Sequence, residues 1–252
     1  MTQVDSRHPH PIAVDAASEA VDPRLRSFMI GLYNKVGLGL LVSAALAYAT
    51  SAVPAVRDTL FVTVISGGAR HLGGLTALGM TSLCSPILAF TAFGMGREQT
   101  PARSGRLYWA IVAAVGVSLG VMVLAYTTVS IAVAFLASAA GFGALSLMGY
   151  ATKRNLAAHA SFLVTGLFGL IVALGLNLVL HNGLLGFAIN LAGVLIFAGL
   201  IAHDTQRLKL AYYRCADDPA KLRTATNVGA LSLYLDFINL FELLLAFTGG
   251  RR

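Results

Sequence analysis

The chain has 252 residues, 57% of them hydrophobic and only 12% charged. A soluble domain averages about 25% charged residues, so this chain has roughly half the usual charge with which to cover a water-facing surface. Soluble globular, disordered, collagenous and coiled-coil classes are excluded. The long continuous apolar runs also exclude a porin-type barrel, which would show short alternating strands. The expected fold class is all-α, a polytopic membrane protein, and the length allows about seven spans of some 20 residues. The two cysteines, Cys84 in an apolar run and Cys215 in a polar connection, make neither a disulfide framework nor a metal site. The net charge of +7 reads as basic residues flanking apolar runs, so a topology signal is expected here and nucleic acid is not.

Residues 1–27 are polar and contain Asp5, Asp15, Glu19 and Asp22, with no apolar segment before a small-residue cleavage site. This is expected to be a disordered cytoplasmic tail, neither a signal nor a transit peptide. Apolar runs follow at 29–53, 72–95, 107–127, 129–150, 158–180, 184–203 and 228–247, each long enough to cross a hydrocarbon core. They define a membrane domain over 28–249, leaving 250–252 as a terminal tail. Pro86 in the second run predicts a kink.

The basic residues of the connections set the orientation. Arg24, Arg26 and Lys35, then Arg97, Arg103 and Arg106, then Lys153 and Arg154, then the cluster from Arg207 to Arg223 fall on one side. The other side has only Arg57 and Arg70. The amino terminus is therefore expected inside. Seven full spans put Arg251 and Arg252 outside, against the charge rule, so a re-entrant last segment with an internal terminus is the alternative. Small residues such as Gly116 with Gly120, Ala140 with Ala144, and Gly141, Gly143 and Gly149 are suited to close helix approach in lipid.

Ionisable residues at membrane depth carry the functional signal, because each costs roughly 2.5–3.5 kcal/mol at a helix centre. Asp204 ends the sixth run, and Asp236 and Glu242 lie in the seventh. Asp204 could simply pair with Arg207 at i+3, and Asp236 could hydrogen-bond a neighbouring helix. Glu242, six positions on and about 240° around the helix, is expected at a solvated end, away from Asp236. If Asp204 and Asp236 meet, they would tend to share a proton, and deprotonation would leave oxygen ligands suited to a hard cation such as Ca²⁺. His159, His181 and His203 sit at span ends, where a wetted interfacial role is the default. No zincin helix, nucleophile elbow, P-loop or dinucleotide fingerprint is present, and the last run has no lysine for a retinal Schiff base. An enzyme is not expected.

Three motifs and the start of the first run carry a resemblance. Gly143-Ala-Leu-Ser-Leu-Met-Gly-Tyr-Ala-Thr-Lys-Arg-Asn-Leu156, Ala202-His-Asp-Thr-Gln206, Ala230-Leu-Ser-Leu-Tyr-Leu-Asp-Phe-Ile-Asn-Leu-Phe241 and Phe28-Met-Ile-Gly-Leu-Tyr-Asn34 resemble the signatures of the Bax inhibitor-1 family, most closely its bacterial YccA-like branch. The likeness covers about residues 22–249. It implies seven transmembrane helices with the last one central, in the bacterial inner membrane. It also implies a di-aspartyl pH sensor at Asp204 and Asp236 that gates a Ca²⁺ leak, with Ca²⁺ as the transported ion and no cofactor. His203, Arg207, Asn239 and Arg97 would support the pair. Some members carry a latching arginine in the second helix; here the nearest is Arg97, beyond the end of that run. The family also implies a second possibility: a non-conducting regulator of a membrane AAA protease or of a cell-death response, acting through the tail or the basic connection 207–223.

Overall fold

The computed structural model describes residues 22–66, 69–75 and 100–250. Helix α1 spans Pro23–Ala52. It opens on Asp22, whose carboxylate accepts the Arg24 N–H at 2.9 Å, with Pro23 in the first turn. Its start differs from the expected boundary at 27, since the apolar run begins one and a half turns into the helix. It ends at Val53, held extended before Pro54. A short helix α2, Pro54–Leu60, leads into an antiparallel hairpin, β1 Phe61–Ser66 and β2 Ala69–Leu75.

Of the expected second run, residues 72–75 lie on β2, while the remainder, with Pro86 and Arg97, lies outside the described residues. The third run becomes two helices, α3 Pro101–Ser118 and α4 Gly120–Ala125, interrupted at Leu119 between a serine and a glycine. Helix α5, Thr128–Ala151, is capped by Thr127. A 3-10 turn, Leu156–His159, precedes α6, Ala160–Leu180. Next, His181 takes a left-handed conformation (φ 50°) and Asn182 caps the following helix, making a tight reversal.

Helix α7, Gly183–Cys215, runs twelve residues past His203, and α8, Pro219–Thr248, starts after only three more residues. The basic stretch 207–223 is thus mostly helical and not a loop. Helix α8 is continuous from end to end, the form that a full crossing takes. Among the described residues six stretches are long and apolar enough to cross a membrane, with α3 and α4 together forming one of them.

Helix α8 is the centre of the bundle. It packs against α1, α3, α5 and α7, and Leu233, Tyr234 and Leu245 on it are fully buried. Tyr234 OH donates to Ser43 Oγ on α1 at 2.6 Å, and Ser43 in turn donates to Val112 O on α3 at 3.0 Å. Among the described helices α6 packs mainly on α7, and it exposes Phe162, Phe168 and Val179, as a lipid-facing helix does.

Contacts between α1 and α3 step in the same direction. Tyr108 OH donates to Lys35 O, Val112 meets Ser43, and Gly120 meets Thr50. The two helices therefore run parallel, and so does α8, whose Asn227 bonds Pro101 O and Ser104 Oγ near its start. The end of α8 meets Thr127 and Ser130 at the opposite end of the bundle.

Candidate functional site

The sixth-run motif folds as a two-faced turn of α7. One face packs on α5. Ala202 presents its backbone to Gly149, where any Cβ would come within 2.9 Å of Ala202 C and Cα. Thr205 Oγ1 reaches Ser146 Oγ, and Gln206 spans the chain beyond α5, accepting the Leu156 N–H at 2.8 Å and donating to Arg154 O at 2.7 Å. Two of the sequence motifs are therefore each other's packing partners. The composition of the motifs had shown no sign of this clamp.

The opposite face of that turn, His203, Asp204 and Arg207, opens into a cavity of about 650 Å³ lined by α4, α6, α7 and α8. Asp204 accepts a hydrogen bond from His203 Nδ1 at 3.0 Å, with both side chains 13% exposed. Its partner is therefore the neighbouring histidine, whereas Arg207 at i+3 is exposed at the cavity mouth. His203 is consequently a cavity residue and not merely an interfacial one.

Asp236 lines the same cavity from α8. It is 7% exposed, and its Oδ2 has no hydrogen-bond partner among the described residues. A buried carboxylate oxygen without a partner is costly, and is retained where it serves a ligand or a proton. A bracing role through that oxygen is thereby disfavoured. The helices are held in register by Gly229 against Leu208 and by Gly193 against Leu243. Asp204 lies level with Ser232, the two lining one small recess. Asp236 is then one turn, or about 6 Å, further along the axis. The two aspartates are staggered in a shared space.

Asn239 also lines the cavity, its Nδ2 donating to Leu235 O at 2.7 Å. Arg97 lies outside the described residues. Glu242, by contrast with its expected place at a solvated end, is half-buried and lines this same cavity. It and Asp236 each sit three residues from Asn239, so they form the two edges of a single face about 120° wide. The spacing 232, 235/236, 239, 242/243, 246 would have revealed that face. A larger groove, about 1060 Å³ between the start of α1 and the end of α5, has Asp22 and Arg26 as its charged lining among the described residues.

Comparison with known proteins agrees with these motifs. The family model described as inhibitor of apoptosis-promoting Bax1 matches residues 25–252. An uncharacterized protein of Caulobacter vibrioides is 51% identical over 253 residues, covering all of both chains. Protein RP147 of Rickettsia prowazekii is 36% identical, covering 96% of this chain and 97% of its own. The inner membrane protein YbhL of Escherichia coli is 34% identical, covering 92% of this chain and 96% of its own. With its apolar helices, buried aspartates and full-length match, this chain belongs to the Bax inhibitor-1 family as a multi-pass membrane protein.

Proposed function

We propose that this protein is a pH-sensitive Ca²⁺ leak of the bacterial inner membrane, with its amino terminus in the cytoplasm and no enzymatic activity. The observation that carries the reading is the shared cavity of Asp204 and Asp236, with one aspartate oxygen left unpartnered. Two carboxylates one turn apart in a low-dielectric space repel when both are ionised and stop repelling when a proton is added. Their protonation state therefore sets the force between α7 and α8, and with it the width of the path. Among the described residues no three His, Cys, Asp or Glu side chains converge on one point. Ca²⁺ takes six to eight oxygens, so an ion here keeps waters and is cargo.

The test is Ca²⁺ entry into dye-loaded proteoliposomes from about pH 6 to 8. Asp236→Asn keeps the hydrogen-bonding shape and removes the charge, so flux through it should lose the pH dependence of the parent. A mutant that tracks the parent's pH profile, or a parent that passes no Ca²⁺, would overturn the reading.

A second reading has its own support. The end of α7 and the start of α8 present exposed Arg214, Lys221 and Arg223 on a short helical stub. A non-conducting regulator of a membrane AAA protease would dock there. Charge reversal at those three positions should then weaken the protease contact and leave Ca²⁺ flux alone.

A further inference from the structure

The polar residues of the cavity form a series along its length. From the mouth inward come Arg207, His203 and Asp204; past them lie Asp236, Asn239, Glu242 and, from α7, Asn190. Both basic lining residues are at the mouth. Beyond Asp236 the charged lining among the described residues is Glu242, with two amides beside it and apolar walls around. A cleft of one charge sign with low-dielectric walls concentrates counter-ions. Glu242 lies six residues, about 9 Å, beyond Asp236 toward the end of α8. Asp236, more than nine-tenths buried, lines the same space with its Oδ2 unpartnered among the described residues, and a buried carboxylate oxygen left so is retained where a ligand or proton can satisfy it.

We propose that Glu242 is a further cation-binding residue of this cavity, taking a hydrated hard cation one station beyond Asp236 on the way to the membrane face where α8 ends. The inference rests on the leak reading for its role in transport, and on the cavity alone for cation binding. Since no three acidic or imidazole side chains converge among the described residues, the ion moves past single carboxylates and is not chelated. Asn239, midway between them, offers its amide oxygen to the passing ion's water shell while its amide nitrogen stays bonded to Leu235 O.

Two experiments separate this inference from the reading beneath it. In the proteoliposome assay, Glu242→Gln should raise the Ca²⁺ concentration for half-maximal flux several-fold and leave the pH midpoint unchanged, because the aspartate pair is untouched. Glu242→Asp should restore the parent curve. Glu242→Gln matching the parent at every Ca²⁺ concentration would overturn the station while leaving the leak standing.

The second experiment needs no flux. In full-length protein carrying Cys84→Ser and Cys215→Ser, Glu242→Cys should favour a cationic trimethylammonium-ethyl methanethiosulfonate over the anionic sulfonatoethyl reagent about tenfold more strongly than free 2-mercaptoethanol does. Such selectivity in a protein that passes no Ca²⁺ would keep the cation site and reject the leak. A preference no greater than that of the free thiol, or no reaction with either reagent, would overturn the site.

Discussion

Gly149 brings the backbones of α5 and α7 together two residues before Asp204, and the atoms it would strike are main-chain atoms that cannot swing aside. Placing a methyl group there gains about 0.5–1 kcal/mol of helix preference. It also overpacks a backbone contact, at about 1–3 kcal/mol. The second effect wins, so Gly149→Ala should lower the melting temperature in detergent. Gly143, on the same helix, has nothing within 4 Å of its absent Cβ, so Gly143→Ala should melt at or above the parent. A Gly149→Ala protein more stable than the parent would mean that the helices are further apart than described. Asp204 and Asp236, which line one cavity, stand out in the sequence because a carboxylate at membrane depth is expensive. Glu242 was misread, because it was compared with Asp236 alone. Asn239 between them shows that both belong to one face.

At the scale of elements, the apolar runs located the crossings they could report on but not the helix ends. Hydropathy marks where hydrocarbon begins and ends. A helix continues for as long as one face stays packed, and in α7 Thr205, Leu208 and Tyr212 remain buried well past the apolar run. The hairpin was missed for the opposite reason. Phe61-Val-Thr-Val-Ile-Ser66 is rich in β-branched residues, a signal lost beside the stronger apolar one. The reversal between α7 and α8 also depends on Asp218, which accepts the Ala220 and Lys221 N–H groups at 3.0 and 3.1 Å. The Lys221 N–H above all holds its carboxyl below the ordinary value of 3.8. A depressed folded-state value means that the cap contributes fully above the ordinary value and is lost as pH falls through it and below. Asp218→Ala should therefore reduce hydrogen-exchange protection of the Ala220 and Lys221 amides at neutral pH. The difference from the parent should shrink below about pH 4 as the parent's cap protonates. A difference that persists unchanged in acid would mean that the aspartate does not cap through its charge.

At the scale of the whole molecule, the centrality of α8 could not come from hydropathy, since the other runs are as apolar as this one. It was implied by the family likeness, and it rests physically on contacts such as Tyr234 to Ser43, which join residues 191 positions apart. The parallel course of α1, α3 and α8 has a topological consequence. Helix α1 ends at the same end of the bundle as α4, whereas α3 starts beside Lys35 and Asn227 at the other end. Asp22, at the start of α1, and Gly250, at the end of α8, therefore lie at opposite ends of the bundle. The proposed orientation has the first of these in the cytoplasm, on the principle that basic connections are retained there. A fluorescent reporter that matures only in the cytoplasm should light up when fused before Asp22 and stay dark after Arg252. An alkaline phosphatase active only outside should give the reverse. Arg251 and Arg252 oppose the proposed orientation only weakly, since one terminal pair is set against the larger number of basic residues on the other side. Both reporters reading the same side would contradict the continuous crossing of α8, and with it the axis along which Asp204, Asp236 and Glu242 are ordered.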